Sequence, residues 1–128
     1  MKAFFIDEVL KCSVKEIPVP VPADDEVLIQ VMAVGICGTD AHLYLGDYEN
    51  PYPTIPGHEF SGVVAAVGRD VHNFRVGQRV AADPNIYCEA SDNCKQNRQN
   101  YCLDYKGLGN QVPRAFQQDM AISQRCVY

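Results

Sequence analysis

Apolar and polar residues alternate most cleanly over Glu26–Val34, where Val27, Ile29 and Val31 share one face. A period of two belongs to a strand with one buried side. Phe60–Val67, closed by Gly68, predicts a second strand. Gly77–Ala82 predicts a third, after the turn-like pairs Arg69-Asp70 and His72-Asn73. Residues 3–6 are apolar enough for a short strand, and residues 12–17 alternate only loosely. Pro18, Pro20 and Pro22 follow; each lacks a ladder donor, so this stretch is an extended edge or a loop. Ala115–Ser123 is a weaker strand candidate, interrupted by Gln117, Gln118 and Asp119.

Helical spacing is nearly absent. About one short helix is expected, over residues 40–45, with Thr39 or Asp40 as its cap. Gly46, Pro51, Pro53 and Pro56 make residues 46–56 a loop. From Asp83 to about Gln111 the chain is polar, rich in Cys and Asn, and aperiodic. A loop of that length inside a compact domain needs its own organiser, and a metal is the candidate. No βαβ unit, repeat or linker is visible. The pattern predicts one mainly β domain over 1–128, twisted, mostly antiparallel and partly closed as a barrel, with a Cys-containing lobe at 83–111.

Composition narrows the function. The chain has 128 residues, 47% apolar and 21% charged, with a formal net charge of -5. That is ordinary for a globular protein and offers nucleic acid nothing beyond the thin basic cluster Lys95, Arg98 and Lys106. No apolar run approaches the roughly 18 residues of a membrane span, and the first residues do not read as a signal peptide. A cytoplasmic location is the default expectation. Six cysteines are present, and Cys88, Cys94 and Cys102 crowd together; in a reducing compartment such a cluster reads first as metal ligands.

A second set of chemically able residues lies at two strand ends. Cys37 follows the Glu26–Val34 strand in a Gly-rich turn, and His58-Glu59 precede the next strand in a Gly-His-Glu. Thiolate, imidazole and carboxylate are all competent zinc ligands. Taken singly, a cysteine after a strand is more often a small buried residue, and spacing alone does not bring segments 20 residues apart together. Thr39 and His42 can relay a proton, and Asp40 can accept a hydrogen bond from a ligating histidine.

The run Gly35-Ile36-Cys37-Gly38-Thr39-Asp40-Ala41-His42, then Pro56-Gly57-His58-Glu59-Phe60-Ser61-Gly62-Val63-Val64, Gly68 and Val76-Gly77-Gln78-Arg79-Val80, resembles the zinc-containing medium-chain dehydrogenase family. The similarity runs from about residue 2 to about residue 110. It implies a GroES-like fold for an N-terminal catalytic domain and oxidation of a small-molecule alcohol or polyol, with a lean toward sorbitol- or threonine-dehydrogenase-like members. By the same resemblance Cys37 and His58 would ligate a catalytic zinc, with Glu59 a ligand or close neighbour. Thr39 would take the substrate proton, His42 would relay it outward and Asp40 would orient His58. Gly62 and Gly68 would serve the tight backbone after the motif. The cofactor would be NAD or NADP, held by a Rossmann domain outside these residues, and the family's full-length members are homo-oligomers.

Two departures matter. The family's lobe carries a structural zinc on four cysteines spaced C-x2-C-x2-C-x7-C; Cys88, Cys94 and Cys102 match the first, third and fourth, and Ser91 stands at the second. A serine hydroxyl is a poor zinc ligand, which leaves Asp92, Glu89 or water as a fourth ligand, or a site without zinc. Near the end, Arg114-Ala115-Phe116-Gln117-Gln118-Asp119 stands where the family has Gly-Gly-Ala-Phe or similar. The resemblance places a further zinc ligand and the barrel's closing strands beyond residue 128. No G-x-G-x-x-G occurs; Gly107-Leu108-Gly109 continues as Asn110-Gln111-Val112. The domain is thus expected to be incomplete at its C-terminus, to expose an unpaired edge, and to be inactive alone. The alternative is a truncated, non-catalytic zinc-binding β-domain.

Overall fold

A computed structural model describes residues 1–47, 49–107 and 114–128. In chain order it contains β1 (Lys2–Glu8), β2 (Lys11–Glu16), β3 (Glu26–Gly35), α1 (Gly38–Leu45), β4 (Glu59–Val67), β5 (Arg79–Ala81), β6 (Asn85–Ile86), α2 (Asp92–Lys95), β7 (Lys106–Gly107) and β8 (Asp119–Ser123). Single 3₁₀ turns occupy Gln99–Tyr101 and Gln124–Cys126. The principal sheet runs β5-β4-β3-β8, and β1-β2 and β6-β7 form two small pairs. Every pairing is antiparallel, and among the described residues the sheets form no closed barrel.

β3 is the spine of this arrangement. Val27 and Ile29 are fully buried, and Met120 and Ile122 come to the same core from β8 and Val64 from β4. Burying each such side chain contributes about 1.5–3 kcal/mol. The β1-β2 hairpin is tied on through Phe4, whose N–H donates to the Phe116 carbonyl at 2.8 Å, and through reciprocal bonds between Ile6 and Thr54. The chain end is also paired: Ala81 and Tyr128 exchange both backbone hydrogen bonds at 2.9 Å. Thus the edge of β5 has a partner at Ala81.

Several boundaries differ from expectation for local reasons. The third strand begins at Arg79 because Gly77 has a left-handed φ of 86° and belongs to the turn before it. The final strand is only Asp119–Ser123; Ala115 and Phe116 instead donate to the carbonyls of Gly57 and Pro56. Residues 11–16, with little alternation, are nonetheless a strand, because the hairpin register with β1 fixes them. The lobe holds a four-residue helix, α2, that its aperiodic sequence concealed. Within 83–111, residues 108–111 lie outside the described residues, as does the Leu108-Gly109 part of the Gly-rich stretch.

Candidate metal centres

The β3-β4 register brings the first constellation together. Gly35, at the end of β3, stands opposite Glu59, at the start of β4. Cys37 lies two residues beyond one end and His58 one residue before the other, so the antiparallel pair delivers both to one place. Cys37 Sγ lies 3.4 Å from His58 Nε2, and that nitrogen lies 3.8 Å from Glu59 Oε1. The ligand atoms of Cys37, His58 and Glu59 all fall within 4.8 Å of one another. Tetrahedral zinc, with bonds of about 2.3 Å to sulfur and about 2.0 Å to nitrogen, holds those two atoms about 3.5 Å apart. The donor set and its spacing fit the metal. Cys37 and His58 are half-buried and Glu59 is exposed.

Asp40 braces this site through the backbone. It is buried, Oδ2 accepts from the Cys37 N–H and Oδ1 accepts from the Gly57 N–H, both at 2.9 Å. The carboxylate thus fixes the backbone on which Cys37 and His58 are mounted. Asp40 is not the helix cap. Cys37 is the cap residue, and Asp40, three residues on, reaches back to its N–H. Gly57, with φ 91°, is required here: a Cβ would lie 2.4 Å from Phe116 Cδ1.

Thr39 and His42 are exposed and three apart on α1, hence on one helix face. His42 Nδ1 lies 2.7 Å from Asp47 Oδ2.

Arg114 is a residue whose role the sequence did not reveal, although its departure from the family pattern marked it. It is 3% exposed, and its Nε and Nη1 have no hydrogen-bond partner among the described residues. Burial lowers its pKa, while the charges of Asp40, Cys37 and Tyr52 work to keep it protonated. A guanidinium is therefore lodged in the electrostatic field of the Cys37 site.

The second constellation also forms. Cys88 Sγ lies 3.4 Å from Cys102 Sγ and 3.8 Å from Cys94 Sγ, close to the about 3.8 Å between thiolates on one tetrahedral zinc. The Ser91 N–H donates to Cys88 Sγ at 3.4 Å, and the Cys88 N–H donates to Cys102 Sγ at 3.3 Å. Hydrogen bonds from the Ser91 hydroxyl, then from the Ser91 and Ala90 N–H groups and the Cys102 thiol, bring the Cys88 thiol down to about 6. The Cys88 N–H pulls Cys102 the same way, but burial and the neighbouring thiols outweigh it and Cys102 is raised. Neither Glu89 nor Asp92 belongs to the cluster of ligand atoms. Glu89 pairs with Arg125 at 3.1 Å.

Known proteins agree with this architecture. Sorbitol dehydrogenase of Bacillus subtilis (strain 168) is 42% identical over all of this chain and 38% of its own length. L-threonine 3-dehydrogenase of Protochlamydia amoebophila (strain UWE25) is 40% identical over 76% of this chain and 30% of its own. Among solved structures, galactitol-1-phosphate dehydrogenase from Escherichia coli superposes over the whole chain and 37% of its own, with a TM-score of 0.95 at 28% identity. The rspB alcohol dehydrogenase from E. coli CFT073, complexed with NADH, also covers the whole chain and 37% of its own, with a TM-score of 0.89 at 37% identity. The chain spans well under half the length of these relatives. The family model of the alcohol dehydrogenase GroES-like domain matches residues 23–128, most of the chain, and to that family the protein belongs.

Proposed function

We propose that this chain is the metal-binding module of a zinc-dependent oxidoreductase that oxidises a small alcohol or polyol with NAD or NADP. The observation that carries the reading is the convergence of Cys37 Sγ, His58 Nε2 and the Glu59 carboxylate within 4.8 Å. Cys37 and His58 hold zinc, with Glu59 as a ligand or close neighbour. Zinc supplies Lewis acidity at the substrate oxygen, and a nicotinamide cofactor supplies the oxidising power. Thr39 takes the hydroxyl proton, and His42, half exposed on the same helix face, passes it to solvent. Asp40 holds the two ligand-bearing backbones in register.

The lobe, in this reading, binds a second zinc through Cys88, Cys94 and Cys102. A cytoplasmic setting and homo-oligomeric assembly follow the family pattern; among the described residues no helix is long and apolar enough to cross a membrane. A second reading, a metal-binding β-domain without turnover of its own, is favoured by one observation: these 128 residues contain no dinucleotide-binding G-x-G-x-x-G.

Exchange of residues 1–128 into the matching stretch of a sorbitol dehydrogenase tests the first reading. The chimera is expected to oxidise a polyol with NAD or NADP, and Cys37→Ala is expected to abolish that turnover. A folded chimera that binds zinc and cofactor but oxidises no alcohol contradicts it. The 128-residue chain alone is expected to show no oxidation with added NAD; metal-dependent turnover by that chain would refute this.

A further inference from the structure

The serine that replaces the second lobe cysteine supports the cluster, its hydroxyl facing the Cys88 sulfur. Ser91 is the cap residue of α2, and its Oγ accepts from the Cys94 N–H at 3.4 Å. Its backbone N–H donates to Cys88 Sγ at 3.4 Å. Ser91 thus links two of the thiols and sets the helix that carries Cys94, which is a supporting role rather than a coordinating one. The nearby carboxylates are also occupied or displaced. Glu89 Oε2 pairs with Arg125 Nη1 at 3.1 Å, and Asp92 is exposed in the first turn of α2. Among the described residues the cluster consists of three sulfurs.

Three thiolates on a tetrahedral metal leave one coordination position to be filled. Cys94 also forms part of the wall of a cavity of about 580 Å³, shared with Tyr87, Glu89, Asn100 and Arg125. Of the three cysteines Cys94 alone is on that wall, where Arg125 is paired with Glu89.

We infer that Cys88, Cys94 and Cys102 form an open three-thiolate metal site whose fourth ligand comes from outside the protein, a small thiol being the fitting donor. This rests on the reading that the cluster binds zinc. The thiol would bind as the thiolate, its proton passing to solvent and any water at that position being displaced; no oxidation state would change. The fourth thiolate suits the soft character of the other three. The metal at such a site is exchangeable in a way that a closed four-cysteine site is not.

Cobalt(II) titration of the 128-residue chain tests this, in thiol-free reducing buffer and on a Cys37→Ser background that silences the other site. The parent is expected to bind one cobalt. Added 2-mercaptoethanol should then raise the thiolate-to-cobalt charge-transfer intensity by about one third, as three thiolates become four. Ser91→Cys should start at the higher intensity, ignore the added thiol and hold cobalt on the order of tenfold or more tighter. Ser91→Ala, which removes the cap but no ligand, should respond like the parent. A parent insensitive to thiol, whose cobalt affinity falls on Glu89→Gln or Asp92→Asn, has a carboxylate as its fourth ligand and overturns the inference. A parent that binds no cobalt while Ser91→Cys binds it overturns the underlying reading instead.

Discussion

At the residue scale, Asp40 and Ser91 play parallel parts: each is a polar side chain that fixes the backbone of proposed metal ligands. Asp40 joins the Cys37 and Gly57 N–H groups through separate oxygens. An amide has one accepting oxygen, so Asp40→Asn keeps at most one of these bonds. The loss of a hydrogen bond to a buried charge predicts destabilisation of about 1.5–3 kcal/mol, read by urea unfolding. Zinc affinity at the Cys37 site should fall roughly 10–100-fold in the same variant, as for other supports of metal ligands. An Asp40→Asn protein with unchanged zinc affinity would show that the brace is irrelevant to the metal.

Ser91 makes a pH-dependent prediction. The Cys88 thiol lies at about 6 against an ordinary 9.0, chiefly because the Ser91 hydroxyl donates to its thiolate. In the metal-free, reduced chain, alkylation of Cys88 should follow a titration with its midpoint near 6, and Ser91→Ala should move that midpoint up. The linked stability has a definite sign. Between about 6 and 9.0 the unfolded thiol carries the proton and the folded one does not, so this contribution is complete above the upper value and is lost as pH falls through the lower. A Cys88 that alkylates only near pH 9 in both proteins contradicts the assignment.

At the element scale, the β3-β4 ladder decides whether the first site exists. Its alternation was readable in Val27, Ile29 and Val31, and the Gly-rich ends of both strands were readable too. The meeting of Cys37 and His58 was not, because strand register is a long-range property that no local period records. The short elements were hidden for a related reason. β2 is held by its partner β1, and α2 by its cap Ser91 and the cysteine cluster, rather than by apolar spacing of their own. The role of Asp40 was half legible: its chemistry pointed to a supporting carboxylate, but only the folded backbone shows that it grips two N–H groups. Gly62 tests the ladder directly. A Cβ there would lie 2.1 Å from the Gln30 carbonyl oxygen on the adjacent strand. Gly62→Ala should therefore force β3 and β4 apart and destabilise the chain by about 1–3 kcal/mol, with zinc lost from the Cys37 site in step. A variant of native stability and full zinc content would contradict this close approach.

At the scale of the whole molecule, the core is one-sided. Val27, Ile29, Met120 and Ile122 are sealed, while Met32 and Ile36, further along the β3 side, are 67% and 80% exposed. Together with Val14 and Phe116 they line an apolar groove of about 550 Å³. A face of this kind promotes association of the isolated 128 residues in water. Sedimentation should show concentration-dependent self-association, weakened by Met32→Lys; a strictly monomeric chain at high concentration would refute this.

The central claim is that Cys37 and His58 form a zinc site separate from the cysteine lobe, and metal content measures it most directly. Purified chain, reduced and supplied with zinc, should contain two zinc ions by mass spectrometry. Cys37→Ala should retain only the lobe's ion, and Cys88→Ala only the ion at Cys37 and His58. Zinc content that is unchanged by Cys37→Ala would contradict the account.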